Sequence, residues 1–457
     1  MSAKIFYFTL QDEQTKEEKL EWFESTPFEK IPFAHITPDK KANWINLTDN
    51  DFDSLLSLID KEVKAGRSEE AVFQLFSAGV KTQRDEWVYD FSKEALTKRM
   101  KYFVEVYQER LKKGTRRELD IKWDRELEKY LERRINKKFE ASKICPSAYR
   151  PFIKPYFYFD ENFNGMTYQL PNLFPVGEKP NLAISCTDAG SQKPFMTIAS
   201  DAIPDLHVVG AACSAQCLPL YRYDENGNRI DNITDWALTQ FQTHYQDPTI
   251  TKDHIFHYTY AVLHHPAYRT KYEINLKREF PRLPFYANFY QWATWGKSLM
   301  DLHLNYETIE PYDLKRVDAS SSSRKQKKAE NATIPGLEPP RPMGEGAGGE
   351  GKPPKAKLKA DKTDGKIILD TETTLEGIPA LAWDYKLGNR SALEWILDQY
   401  KEKTPKDPTI RELFNTYQFA DYKDHVIDLL KRVCTVSLRT MEIIHQMPET
   451  VDHQTEK

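Results

Sequence analysis

Cysteine is scarce in this 457-residue chain: Cys145, Cys186, Cys213, Cys217 and Cys434 are the whole set. A sparse, odd number excludes a disulfide framework and fits a reducing cytoplasm. Cys213 and Cys217 form C-x3-C, but no second pair completes a structural zinc site. No apolar run approaches the ~18 residues of a membrane span, and mean hydropathy is -0.68. The start, MSAKIFYFTLQDE, lacks the apolar stretch and small-residue cleavage site of a secretory leader.

Catalytic signatures are missing too. There is no H-E-x-x-H, no G-x-S-x-G, no glycine-rich cofactor loop and no Asn-Pro-Pro-Tyr loop to grip a flipped base. Two stretches imitate such sites. GAGGEGKP (346–353) places Gly346, Gly351 and Lys352 as in a phosphate-binding loop, but Pro353 replaces the hydroxyl that holds Mg²⁺. Pro38-Asp39 with Glu62-Val63-Lys64 imitates a metal-dependent nuclease, yet that pattern needs its E-x-K on a core strand. Here it ends a stretch read as an amphipathic helix, 51–64, with Leu55, Leu58 and Ile59 on one face. His264-His265 precede Pro266 and read as a helix-end cap. His207 and His303 lie beside apolar residues and read as core histidines.

What is present suffices for two to four packed domains: 40% hydrophobic and 12% aromatic residues. The net charge of -4 is unevenly spread. Residues 93–154 sum to +9 and residues 315–366 to +6, which leaves -19 on the remainder. Such asymmetry suits a face that meets an anionic partner, or a set of solvated helix faces.

Periodicity divides the chain. AKIFYFTL reads as a strand and QTKEEKLEWFES as a helix. Leu96, Met100, Phe103, Tyr107 and Leu111 predict a helix over 93–113, stopped by Gly114. Leu119, Trp123, Leu127, Tyr130, Leu131 and Ile135 predict a second over 118–139, the two forming a helical spacer at 91–143. From 144 to about 235, short aromatic or β-branched runs alternate with turns, and Asn226-Gly227 signals a hairpin. Helical spacing returns at 234–272 and 288–304. Residues 318–366, rich in Pro, Gly, Ser and Lys, read as a disordered basic linker. KIILDTETTLEGIP then suggests a strand pair, and helices are expected at 391–402, 409–417 and 423–445.

AYRPFIKPYFYFD, DAIPDLH, ITKDHIFHYTYAVLHHPAYR, FPRLPF, DLHLNYE, LEGIP, SALEWI and RVCTVSLRTMEII follow in this order. Together they resemble the C-terminal part of the type ISP restriction–modification enzymes. In that family a nuclease, a translocating helicase, an adenine N6-methyltransferase and a target-recognition domain share one chain. The resemblance implies that residues 1–90 are the end of the methyltransferase region and its connector. Residues 144–317 would be the target-recognition domain, and 367–450 the C-terminal part of the specificity domain. It further implies that S-adenosylmethionine, ATP and Mg²⁺ serve catalytic parts outside these residues, with no cofactor or metal held here. The expected partners are double-stranded DNA and the upstream methyltransferase and helicase–nuclease portion, in the cytoplasm. The other readings are an inactive remnant or structural partner, or a stand-alone DNA methyltransferase or nuclease.

Residues 148–165, AYRPFIKPYFYFDENFNG, concentrate the polymer-binding chemistry. In an alternating strand, Phe157 and Phe159 enter the core while Tyr156 and Tyr158 share the other face with Lys154. Arg150 and Lys154 could hold phosphates, or Arg150 could fork onto guanine; Asn162 and Asn164 could pair with adenine. Because YRPF belongs to the family framework, a buried bridge from Arg150 to a carboxylate is the preferred reading. Base readers are expected in less regular segments: 190–193 with Gln192 and Lys193, 222–229 with Arg222, Asn226 and Arg229, and the 285–291 loop. The fold expected is α+β: a methyltransferase-type strand and helix, the helical spacer, a β-rich recognition domain with packed helices, and a C-terminal helical subdomain.

Overall fold

A computed structural model describes residues 4–10, 16–39, 42–45, 50–175, 181–191, 193–210, 213–319 and 354–451. It has the mixed helix and strand content that the sequence predicts. At its centre is an antiparallel sheet of four strands, ordered Ser77–Ala78, Ala215–Pro219, Ala183–Thr187, Thr197–Ser200. Every residue of its three longer strands is buried. This explains runs such as AISCT and TIAS, which hold only small or β-branched residues and no charge.

The two faces of that sheet serve different cores. Ile184, Cys186, Ala199 and Leu218 point into one shared with helices Lys252–His264 and Phe289–Leu304. Met196, Ile198 and Ala215 point into a second, which holds the C-terminal elements. Ala183 and Cys217 point into a third, built on helix Lys93–Lys113. That helix runs from a Ser92 cap to Gly114 at φ 69°, as its periodicity predicts. It buries Leu96, Met100, Phe103 and Tyr107 against a second sheet, ordered Ile203–Pro204, Ile144–Ala148, Tyr156–Tyr158, Tyr89–Asp90.

A third, antiparallel sheet joins Lys315–Asp318, Thr373–Glu376, Lys366–Asp370 and Ala356–Asp361 beside helices Ala392–Gln399 and Phe419–Ile444. It corrects the linker expected at 318–366. Ala356–Asp361 is an edge strand, with Leu358 buried at a register shift and Lys357 and Lys359 exposed. Exposed lysines on an edge strand discourage pairing with other chains. The rest of that expectation, with GAGGEGKP, falls almost wholly on 320–353, outside the described residues.

Two helix predictions also need correction. Residues 51–64 break into a 3-10 turn, a short strand and the four-residue helix Lys61–Lys64. The Asp60 carboxylate accepts from Glu62 N and Val63 N and starts that helix afresh. Leu55, Leu58 and Ile59 are buried all the same, so the apolar pattern was real and its period misleading. In place of 118–139 there is only Arg125–Glu132, begun by the Asp124 cap and ended by Arg134 at φ 52°.

Helices Lys252–His264 and Phe289–Leu304 meet at Gly296. A Cβ there would lie 1.7 Å from the His257 carbonyl oxygen, so only glycine permits the contact. Beside it runs a buried polar thread. Ala199 N donates to Tyr260 Oη at 2.8 Å, Tyr260 Oη meets His303 Nδ1 at 2.6 Å, and His303 Nε2 meets Thr440 Oγ1 at 2.9 Å. The thread ties the central sheet to three helices. It needs a neutral ring at His303, and burial supplies one by pulling that imidazole down to about 3. His264 is likewise buried and pulled well below its ordinary range.

Two outcomes follow from this core. Gly296→Ala should lower stability by several kcal/mol, because a backbone carbonyl cannot move aside without parting the helices; urea unfolding reads it. The second concerns pH. His303 stays neutral when folded but protonates below about 6.5 when unfolded, so stability is complete above that range and falls as pH drops towards 3. Melting temperature should therefore decline between pH 7 and pH 5 as these buried histidines charge on unfolding, and the decline should be smaller in His303→Gln.

Candidate nucleic-acid interface

Arg150 lies deep beside the second sheet. Its Nη1 is 2.6 Å from Asp205 Oδ1, and its guanidinium rests over the Tyr149 ring at 4.0 Å. Burial, the largest influence, would lower its pKa, but the charge and hydrogen bond of Asp205, with Tyr149 and Asp85, together outweigh it and the cation is held. Asp205 also accepts from Tyr89 Oη and from His207 N. Arg150 thus spans the two-residue strand at Ile203–Pro204 and the strand at Ile144–Ala148. Lys154 is paired as well, with Asp201 at 2.8 Å and Glu307 at 3.5 Å. A hollow of about 230 Å³ beside them is bounded by Lys143, Cys145, Lys154, Phe159 and Asp201. Its two lysines already hold carboxylates.

The strand Tyr156–Tyr158 departs from the two-faced expectation. Tyr156 is 36% exposed, and Phe157 and Phe159 are buried as expected, but Tyr158 is fully buried. Phe139 stacks on the Tyr158 ring at 5.7 Å, and Glu140 N donates to its hydroxyl. The strand lies inside its sheet, so its second face is roofed by the segment that leads in from residue 139. Asn164 is equally inaccessible: its Nδ2 donates to Tyr158 O and Asp160 O, which closes the turn at 160–165. These two side chains face the interior, not a partner. Asn162, in the same turn, is half exposed, with its backbone N donating to Asp160 Oδ1.

The loop candidates sit at opposite ends of the central sheet. Strand Ala183–Thr187 pairs Ala183 with Pro219 and Thr187 with Ala215. Just beyond Pro219 comes the hairpin Tyr221–Tyr223 and Arg229–Asp231, as Asn226-Gly227 predicts. Its loop is closed by Asp224, whose carboxylate accepts from Asn226 N, Asn228 N and Asn228 Nδ2. Asn226 and Arg229 are exposed, Arg229 over the Tyr221 ring at 4.2 Å; Arg222 is half buried with its Nε unpartnered. Beyond Thr187, at the other end, Gly190 N donates to Lys277 O, and Lys193 is exposed. Gln192 lies outside the described residues. A five-residue strand separates the two ends by roughly 16 Å. The loop expected at 285–291 ends early: residues 289–291 begin helix Phe289–Leu304, where the exposed Tyr290 hydroxyl donates to Asp247 Oδ2.

Among the described residues, the imitation sites hold no catalytic geometry. Glu62 is exposed and paired with Arg67, and Lys64 sits over Phe76. His265 contacts Tyr286 Oη and Pro448 O, and Cys213 and Cys217 are buried free thiols. Among the described residues, no group of three or more His, Cys, Asp or Glu is placed to hold a metal ion. Nor is any described helix long and apolar enough to cross a membrane.

None of the described residues between 4 and 45 belongs to any of the three cores. Strands Ile5–Tyr7 and Ala34–Ile36 pair only with each other. Phe6, Leu20, Phe23, Phe28 and Trp44 are each more than half exposed. The sequence predicted the strand and helix here but gave no sign that their apolar faces lie open.

Comparison with known proteins adds a context. A family model described as the type ISP C-terminal specificity domain matches residues 71–429. A search of curated proteins returns no match. Among solved structures, a DrdV–DNA complex determined by cryoEM is similar at 44% identity and TM-score 0.83, over 98% of this chain and 44% of that one. A nuclease-deletion mutant of the type ISP restriction–modification enzyme LlaGI, in complex with a DNA substrate mimic, is 28% identical with TM-score 0.75. It covers 98% of this chain and 33% of its own. The ATP-dependent type ISP enzyme LlaBIII bound to DNA gives 27% and 0.73, over 92% and 26%. The chain therefore spans less than half the length of each of these relatives.

Arg150→Met separates structure from recognition. It leaves the Asp205 carboxylate buried and uncompensated, so stability should fall by about 3–5 kcal/mol in urea unfolding, and Arg150→Met with Asp205→Asn should recover part of the loss. A variant of unchanged stability that loses only DNA affinity would instead place Arg150 against the polymer.

Proposed function

We propose that this chain, which belongs to the type ISP C-terminal specificity domain family, is a target-recognition module for double-stranded DNA. In this reading it selects a duplex site and directs adenine methylation and restriction by catalytic parts that lie outside these residues and take up S-adenosylmethionine, ATP and Mg²⁺. The observation that carries the reading is the DNA-bound DrdV relative, which matches 98% of the chain at 44% identity. In this reading the work is cytoplasmic, and no catalytic role falls to these residues.

Residues 144–317 and 367–450 form the recognition unit in this proposal. The long helix at 93–113 links it to what precedes. The accessible candidates are Lys193, Asn226 and Arg229, with Asn162, Tyr156 and Arg222 half open to solvent. Because the hairpin and the 190–193 loop lie roughly 16 Å apart, they would read base pairs about five steps apart, at ~3.4 Å per step. The open aromatic faces of residues 4–45 suit a second partner. They would dock on the methyltransferase portion, whose sheet would extend the lone strand pair.

Selection from a randomised duplex library, with and without the methyltransferase portion, tests the proposal. An asymmetric motif should emerge and persist as salt is raised. Arg229→Ala or Asn226→Ala should then relax the preference at one position and weaken binding to the motif by ~1–3 kcal/mol. A library that stays random under both conditions would sink the reading.

A further inference from the structure

Residues 133–138, RRINKK, hold four cations and no acid. None of the base-reading candidates lies there, and the sequence reading absorbed the segment into a helix. A run of charge is usually a solvated face. Three observations argue otherwise. First, among the described residues no carboxylate pairs with Arg133, Arg134, Lys137 or Lys138. The neighbouring Arg110, Arg116, Arg117 and Lys129 are all paired. Arg133, Arg134 and Lys138 are exposed.

Second, the backbone of the segment is pinned from outside. Tyr107 Oη donates to Ile135 O at 2.8 Å, and Gln108 Nε2 donates to Lys137 O at 2.7 Å. Both donors stand on the long helix Lys93–Lys113. The next residue but one, Phe139, is stacked on Tyr158.

Third, the turn is left-handed at Arg134, φ 52°. Arg134 N donates to Leu131 O and Ile135 N to Tyr130 O, both at 2.9 Å, which is the Schellman ending of a helix. Glycine is usual at that position, and arginine there is strained. The helix dipole favours cations at Arg133 and Arg134. It does not explain Lys137 and Lys138, which lie beyond the helix, nor why like charges are fixed side by side against their repulsion.

We propose that this pinned turn is a preformed clamp for DNA backbone phosphates, made by Arg133, Arg134 and Lys138. The inference rests on the DNA-recognition reading above and deepens it. Holding the backbone of the turn in place before binding removes the ordering entropy that a flexible segment would lose on contact. Phosphate contacts set register while base contacts specify. The turn at 160–165, with Asn162, is fixed to the same Tyr158 through Asn164, so register set here is transmitted to it.

The test uses the full chain and two duplexes, one of random sequence and one carrying the selected motif. In Arg133→Gln/Arg134→Gln/Lys138→Gln the pinned carbonyls of Ile135 and Lys137 are untouched. Binding to both duplexes should fall together by about tenfold or more, and the slope of log affinity against log salt should flatten by ~0.9 per lost phosphate contact. The preference for the motif should be unchanged. A matched control, Lys355→Gln/Lys357→Gln/Lys359→Gln, removes equal charge from the third sheet and should keep the wild-type slope. Tyr107→Phe keeps every charge but removes one of the turn's two backbone pins, and should weaken binding. A wild-type slope in the first variant overturns the clamp and leaves recognition standing. An equal loss in the lysine control overturns it too, because total charge then suffices. Unchanged binding in Tyr107→Phe removes the claim of preorganisation. Failure of the unaltered chain to bind either duplex refutes both readings.

Discussion

A sheet buried on both faces is the constraint on which this molecule depends. Strands Ala183–Thr187, Thr197–Ser200 and Ala215–Pro219 expose nothing along their length, so each face must be covered by apolar partners. The helical pair meeting at Gly296 covers one face, and the C-terminal elements and the long helix cover the other. What such a sheet can offer a ligand is only its ends. The loops that the chain leaves open, 190–193 and the hairpin after Pro219, are those ends. The polar thread through Tyr260, His303 and Thr440 then fixes how the helical layers sit on the sheet, by hydrogen bonds that accept little displacement.

Charge obeys the same economy of place. The +9 of residues 93–154 suggests an anion-binding face, yet part of it is held inside the protein. Arg99 is buried against Asp90, Arg150 against Asp205, and Lys143 against Asp160, and just before the segment Arg84 is buried against Asp124. Buried pairs of this kind add little net stability compared with apolar packing, but each is costly to break. Their effect here is geometric. Arg84 also donates to Phe163 O, and Arg99 to Tyr89 O, so each cation fastens one segment to another. A count of cations cannot distinguish these from the ones that face water.

That limit shows where the sequence was legible. Helix 93–113 was readable because its stripe, its serine cap and its terminal glycine all agree. The hairpin was readable from Asn226-Gly227. Tyr158 was not, because alternation tells which residues share a face and not whether that face is roofed; the roof, Phe139, comes from a segment whose helical pattern was false. At 51–64 the apolar residues were correctly assigned to the core, while Asp60 started a new helix that periodicity alone cannot show. The edge strand at Ala356–Asp361 was masked by lysine, since composition that keeps an edge soluble resembles that of a linker. The order of long motifs identified the family, whereas the position of each candidate side chain needed the fold.

The interior pairs and the doubly covered sheet together imply how recognition is divided. A base-reading side chain contributes ~1–3 kcal/mol of discrimination, and it delivers that only if the module approaches the duplex in one register. Phosphate contacts supply most of the sequence-independent affinity and set that register. In this reading the unpaired cations on the surface matter more than those paired in the interior. Where they stand on a rigid support, as residues 133–138 do on helix Lys93–Lys113, their position is inherited by every element packed on that helix. In the proposed reading a rigid sheet is part of specificity, since candidate readers roughly 16 Å apart could agree on one site only if the sheet between them does not flex.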